Sequence, residues 1–258
     1  MRLVPALGLL LSATSAASAQ QRDTLPPIDT DRPDFTDGVH TIARGHVEVE
    51  TGYTYQQARG PDAGHSHSVP ELLFRVGLLP RVEFRLSENY LVLRGGGVNA
   101  PAVHGFDDTY LGTKVSLTEQ HGAAPALSFE LKVNVPTGSD AISAHRALPG
   151  AALLLGWETS GPWSAGVEAL GTRTADNHAQ AVGSLSVQYQ TSRRVQSYGE
   201  FFTLQPVNAG IGARAAHYAN TGLLLLLSND AQADARIGFG LNRNADRYFV
   251  GFGFAVRR

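Results

Sequence analysis

YFVGFGFAVRR, Tyr248 to Arg258, is the stretch on which the fold turns. Taken by alternate residues, it separates into Tyr248, Val250, Phe252, Phe254 and Val256 on one parity and Phe249, Gly251, Gly253, Ala255 and Arg257 on the other. Successive side chains of a strand point to opposite faces. One face is therefore large and apolar, and the other is almost bare. A bulky face turned to acyl chains and a small face turned to a crowded interior fit a strand in the wall of a transmembrane barrel, where a charge near the bilayer midplane costs about 2–4 kcal/mol. Such a strand, the last of the chain, has to pair with the first, because an open sheet edge cannot be left in lipid.

Working back from that end, the same period of two recurs. HVEVETGYTY sets Val47, Val49, Thr51, Tyr53 and Tyr55 against His46, Glu48, Glu50, Gly52 and Thr54. ELLFRVGLL, RVEFRLS, DTYLGTKVSL and LSFELKVNV repeat it, with one parity apolar and the other rich in charge. Twelve strands are expected, over residues 44–57, 69–78, 81–94, 107–118, 125–136, 149–159, 162–172, 178–191, 194–205, 217–228, 231–242 and 247–257. Register is ambiguous at 198–202 and 223–227, where both parities are apolar.

The connections alternate in length. ARGPDAGHSHS, GGGVNAPAVHGF, TGSDAISAHRALP and PVNAGIGARAAH are long, with shorter RTADN and RNADR at the same end, whereas Leu79-Pro80, SGP, TSRR and SNDA are tight and EQHGAA is the exception. This predicts an all-β, 12-stranded antiparallel up-and-down barrel with its loops at one end and its turns and termini at the other. Trp157 and Trp163 flank one tight turn, while Tyr53, Tyr55, Tyr90 and Tyr248 fall at the opposite strand ends, which predicts aromatic girdles at the two membrane interfaces. A soluble periplasmic β-sandwich is the competing architecture, since its outer faces would also tolerate the charged parity.

Residues 1–19, with basic Arg2, an apolar run from Leu3 to Leu11 and Ala17-Ser18-Ala19, read as a secretory signal peptide. The chain of 258 residues has no cysteine and a formal net charge of −2 with interspersed signs, which gives no support to nucleic-acid binding. Residues 20–43, with Pro26, Pro27 and Pro33, lack strand alternation and are expected to be either a periplasmic segment or a plug. In the second case Asp29, Asp31, Asp34 and Asp37, beside Arg32, would meet arginines of the interior. The barrel itself is assigned to 44–258.

In order along nearly the whole mature chain, TDRPDFTDG (30–38), GHVEVETGYTY, PELLFRVGLLPRVEFRL, VNVPTGSD and GFGLNRNADRYFVGFGF resemble an outer-membrane barrel family labelled as a component of a phenol-degradation meta-cleavage pathway, often simply called "transporter". The resemblance implies an integral barrel of the Gram-negative outer membrane that passes small, including aromatic, compounds. Such barrels usually end on an aromatic residue read by the barrel-assembly machinery. Here Arg258 holds that position, so recognition of the C-terminal strand would rest on Phe252, Phe254 and Val256.

Charges on the inner parity are the candidate site: Glu48, Glu50, Glu71, Arg75, Glu83, Arg85, Asp108, Lys114, Glu130, Lys132, Glu168 and Arg236. Ionisable groups at membrane depth normally face an interior or water and often mark a pathway, so they are expected to line a narrow channel whose mixed charge sets selectivity. The alternative is an interior filled by ion pairs, giving a structural or ligand-binding barrel with no open pore. His65-Ser66-His67 has the i, i+2 spacing of a metal pair but reads as a solvated loop. A lipid hydrolase would need serine, histidine and an orienting group together, and the serines near His65, His67 and His145 fall in expected loops. The expectation is a non-enzymatic passive channel without cofactor or metal, whose partners are outer-membrane lipids, the assembly machinery and a small solute.

Overall fold

A computed structural model describes residues 25–60, 63–96, 101–208, 210 and 213–258. The reading of residues 1–19 as a signal peptide lies outside the described residues. The regular elements are β1 (Val47–Gln57), β2 (His65–Leu79), β3 (Val82–Arg94), β4 (Ala102–Phe106), β5 (Thr109–Thr118), β6 (Ala126–Val135), β7 (Leu148–Glu158), β8 (Trp163–Arg173), β9 (Ala179–Gln190), β10 (Val195–Val207), β11 (Ala216–Ser228), β12 (Ala231–Gly240) and β13 (Tyr248–Arg257). Pairing is antiparallel and runs between neighbours from β5 to β13, then from β13 to β1, β1 to β2, β2 to β3 and β3 to β5. Twelve strands thereby close a ring. At the seam Glu48 lies opposite Arg257 and Gln57 opposite Tyr248, and the Val47 and Arg258 backbones exchange hydrogen bonds of 2.7 Å in both directions.

The thirteenth strand is a departure from expectation. Residues 95–106 read as a loop, yet β4 pairs with the upper part of β3, Tyr90 opposite Phe106 and Arg94 opposite Ala102. The lower part of β3 pairs with β5 instead. β4 thus extends the wall at the loop end without entering the ring.

A second departure lies in β2, which starts at His65 rather than at 69. Between Ser68 and Glu71 it carries one residue more than either neighbour. Such a bulge reverses the parity of everything beyond it. Below it Glu71 and Arg75 point inward; above it His65 and His67 point outward, beside Tyr55. The His65-Ser66-His67 triplet is therefore strand, not the solvated loop it read as.

The sheet is inverted relative to a soluble protein. Phe252 is 61% exposed and Phe84 36%, while Glu83, Glu130 and Lys114 are fully buried. Burying one large apolar side chain is worth about 1.5–3 kcal/mol relative to leaving it in water. An exterior carrying Leu131, Leu153, Trp163, Leu185, Phe201, Leu223 and Phe239 on successive strands is stable only against lipid. This excludes the soluble sandwich, whose centre would have gathered Phe74, Phe84, Phe129 and Phe252. The ambiguous strands resolve the same way: Tyr198, Glu200 and Phe202 point inward and Phe201 outward, while Leu223, Leu225 and Leu227 face lipid. The protein is an integral outer-membrane barrel.

Candidate functional site

Residues 25–43 lie inside the barrel. The segment enters at the turn end, where the Ile28 amide donates to Asn229 O (2.8 Å) and Arg257 Nη2 donates to Pro26 O (2.8 Å). It crosses the lumen through Arg32 to Thr36 and returns along β5 and β3, where Lys114 Nζ donates to Gly38 O (2.9 Å) and the Ile42 amide donates to Glu83 Oε2 (2.8 Å). Its proline-rich composition suits this path. A chain without ladder pairing has to place its amide and carbonyl groups on side chains of the wall.

The wall it meets on β1 to β6 is ionic. Arg75 contacts Glu83 (3.1 Å), Glu48 (3.0 Å) and Glu50 (3.3 Å). Asp31 adds a fourth carboxylate, 2.6 Å from Arg85, 3.1 Å from Lys114 and 3.5 Å from Arg75. Burial alone would raise the Asp31 carboxyl, but Arg75, Arg85 and Lys114 together hold it well below the usual carboxylate range. Glu50 in turn accepts from the Asp31 and Arg32 amides at 3.1 and 3.0 Å. Asp37 completes the cluster at 3.3 Å from Arg85.

Two glycines, one on β1 and one on the bare parity of β13, make room at the seam. Gly52 and Gly253 face each other across the seam. The Arg32 guanidinium lies against both, close enough that a Cβ on either would collide with it. The slot is flanked by Glu71 (2.7 Å) and Asp234 (3.4 Å), which pair with Arg32.

The opposite wall, β7 to β13, is largely apolar. Ala152, Leu154, Leu170 and Val182 enclose Val39. Phe35 stacks on Phe202 with ring centroids 4.3 Å apart, Phe202 stacks on Tyr218 at 4.7 Å, and Phe249 packs beside them. Carboxylates interrupt this wall at Glu168, Asp234 and Glu200, and Glu200 accepts from the Phe35 amide (2.9 Å), the Thr36 amide (2.7 Å) and Asn220 Nδ2 (2.9 Å). Next to it Asp34 pairs with no cation among the described residues and accepts from Ser186 Oγ (2.9 Å) and Gln188 Nε2 (3.3 Å). Burial and then the Glu200 charge push the Asp34 carboxyl up to about 8.

Two cavities flank the segment. One of about 1050 Å³ is lined by Pro26, His40, Gln188, Arg194 and Leu226, among others, and a smaller one of about 200 Å³ by Arg32, Glu50, Glu71, Asn89 and Arg236. Asp34 and Asp37 line both.

Of the inner charges read from sequence, Glu48, Glu50, Arg75, Glu83, Arg85, Lys114 and Glu130 form one connected cluster with the segment. Glu168 accepts from the Asp37 amide (3.2 Å), and Arg236 donates to Pro33 O (2.9 Å). Glu71 holds Arg32, and Lys132 lies 3.9 Å from Glu130. Asp108 is placed differently: its carboxylate accepts from the Gly138 and Ala144 amides and anchors the β6–β7 loop. Glu200, Asp234 and the aromatic stack are inward residues that the sequence reading missed. Glu200 carried a usable signal, because a carboxylate at membrane depth must face inward and would have fixed the β10 register.

At the turn end Trp163 packs against Tyr189 (4.6 Å) and Trp157 Nε1 donates to Ala123 O (3.1 Å). At the loop end Tyr53, Tyr55 and Tyr248 lie together on the exterior, and Tyr90 stands beside Phe106. Among the described residues no three His, Cys, Asp or Glu side chains are grouped to hold a metal ion.

Solved outer-membrane barrels share the fold. The COG4313 outer membrane channel from Pseudomonas putida F1 is similar at a TM-score of 0.70 and 10% identity, over 89% of this chain and 100% of that one. The NanC porin gives 0.55 at 9% identity, covering 81% and 98%. The KdgM porin gives 0.52 at 9%, covering 81% and 98%. No curated protein sequence matches the chain. Residues 30–257, from the lumenal segment to the last strand, match the family described as "Putative MetA-pathway of phenol degradation", and the chain belongs to that family.

Proposed function

We propose that the protein is a passive outer-membrane channel for small molecules carrying both an apolar ring and a polar group, with residues 25–43 as a plug that narrows its lumen. The carrying observation is the split interior, in which an ionic cluster holds the segment on one side while on the other its Phe35 covers Phe202, Tyr218 and Phe249, an aromatic face that displacement of the segment would bare to a solute. Aromatic faces give stacking energy of about 0.5–1.5 kcal/mol beyond area burial, enough to favour a ring without trapping it. The similar COG4313 channel and porins and the family's phenol-degradation description agree with this reading. In it Glu71 and Arg236, at the small cavity, and Lys132 meet the solute first, while Arg75, Arg85 and Lys114 hold the plug. The outward Phe252, Phe254 and Val256 of β13 are the surface offered to the assembly machinery.

Planar-bilayer recording on heat-modifiable, folded protein tests the proposal. The whole protein should give small conductance steps, and removal of residues 25–43 should enlarge them several-fold. The dense bonding of the segment favours a second reading, a barrel closed throughout its working life. Silence from the whole protein in both conductance and liposome swelling with phenol-sized solutes would select that reading, and silence from the deletion as well would remove the channel altogether.

A further inference from the structure

The outer surface at the loop end of β1 to β4 carries donors that neither the lumen nor the fold uses. Above the β2 bulge the register sets Tyr55, His67, Val92 and His104 in one row across four strands, and Gln57, His65, Arg94 and Ala102 in the next. All of these face away from the lumen. Arg94 and His104 are exposed, and His65 and His67 partly so.

The imidazoles are oriented. Tyr53 Oη lies 2.9 Å from His67 Nδ1, and Tyr90 Oη lies 2.8 Å from His104 Nδ1. With each phenol donating to Nδ1, each ring carries its hydrogen on Nε2, directed away from its tyrosine. The rings of Tyr53 and Tyr55 border the patch, with His65 and His67 at 5.4 Å from each other. Among the described residues no carboxylate pairs with Arg94 or with these histidines. Glu88, one outward step below Tyr90, is occupied by Thr109 Oγ1 at 2.8 Å.

A girdle of tyrosines marks headgroup depth, and the loop end of such a barrel is its extracellular end. We propose that this patch binds the phosphate of a phosphorylated glycolipid in the outer leaflet. Arg94 supplies the planar charge suited to phosphate, the Nε2–H groups of His67 and His104 donate beside it, and the tyrosine rings flank the sugar. A membrane lipid fits better than a soluble anion because apolar Val92, Phe106 and Leu86 continue the same face toward the acyl chains.

Native mass spectrometry of the purified full-length protein, titrated in detergent with bisphosphorylated lipid A, tests the site. The expected result is one tightly retained lipid, with affinity falling about tenfold or more in Arg94→Ala/His104→Ala, in line with loss of charged hydrogen bonds. Lipid A stripped of its phosphates should bind the unaltered protein as weakly as intact lipid binds that variant. The pair Tyr53→Phe/Tyr90→Phe, which frees the imidazoles but removes no donor from the patch, should lose affinity to a lesser degree and carries the test should the first variant not fold. Equal retention by protein and variants, or equal binding of the phosphate-free lipid, overturns the proposal. So does displacement of the lipid by equimolar inorganic phosphate, which would show an anion site with no lipid component.

Discussion

Arg32 is the residue on which docking of the lumenal segment turns, because it is held on three sides: by Glu71, by Asp234 and by the carbonyl of Phe252 at 3.3 Å. Removing one partner of a buried pair costs about 3–5 kcal/mol, since the other charge is left without compensation. Arg32→Ala should therefore loosen residues 30–38 and raise bilayer conductance, and faster amide exchange over that stretch while β1 stays protected is the measurement. Gly253→Val should act alike by filling the slot, whereas Gly199→Ala, which meets nothing within 4 Å, should not. Asp34 makes docking depend on pH in a stated direction. Its carboxyl is raised to about 8 in place and would ionise near 4 once released. The released segment thus binds fewer protons between those values, and docking weakens as pH rises from about 4 to about 8. Asp37, also raised by burial, adds to the trend, whereas Asp31, held low, contributes a constant above about pH 5. Asp34→Asn should flatten part of this dependence in exchange rates measured from pH 5 to 8, leaving the share of Asp37, and an unchanged slope would remove Asp34 from the account.

At the scale of the element, the β2 bulge decides which side of the barrel two histidines occupy. Deleting Pro70 removes the extra residue and leaves Val69 alone opposite Tyr53, so strict alternation from Glu71 should keep His65 and His67 outward, with heat-modifiable migration and the His67–Tyr53 contact retained; loss of either would show that the bulge itself is needed for pairing above Glu71. The bulge also marks where sequence stopped being sufficient. The parity of β1, β3 and β13 was legible because each sets charge or glycine against bulk, and lipid admits only one orientation. The bulge was not legible, because an extra residue exists only by comparison with the neighbouring strand. β4 was hidden for a related reason: five residues, AVHGF, have no periodicity to read until β3 lies beside them. Over 198–202 and 223–227 alternation by bulk carries no sign, and only the charge of Glu200 could have fixed the face of β10. The inner charges were legible as inward and the aspartates of residues 20–43 as candidate partners, but not which aspartate meets which arginine, since a segment without regular structure has no period to read.

For the whole molecule, the exterior sets the strongest constraint. Phe252→Arg should cost about 2–4 kcal/mol near the midplane, read as a lower urea midpoint in lipid vesicles, whereas Phe202→Ala, which opens a void beside Phe35, Tyr218 and Phe249, should loosen the segment and alter flux of aromatic solutes relative to ions. The same molecule makes its first and last strands neighbours, and the Arg32 slot is formed from one glycine on each. Before that junction zips there is no slot, and the arginine has nothing to enter. The lumenal segment must then be a late arrival, seated after the cylinder is whole, and its lodging reports to the outside, through protection of a few amides, that biogenesis of this barrel has finished.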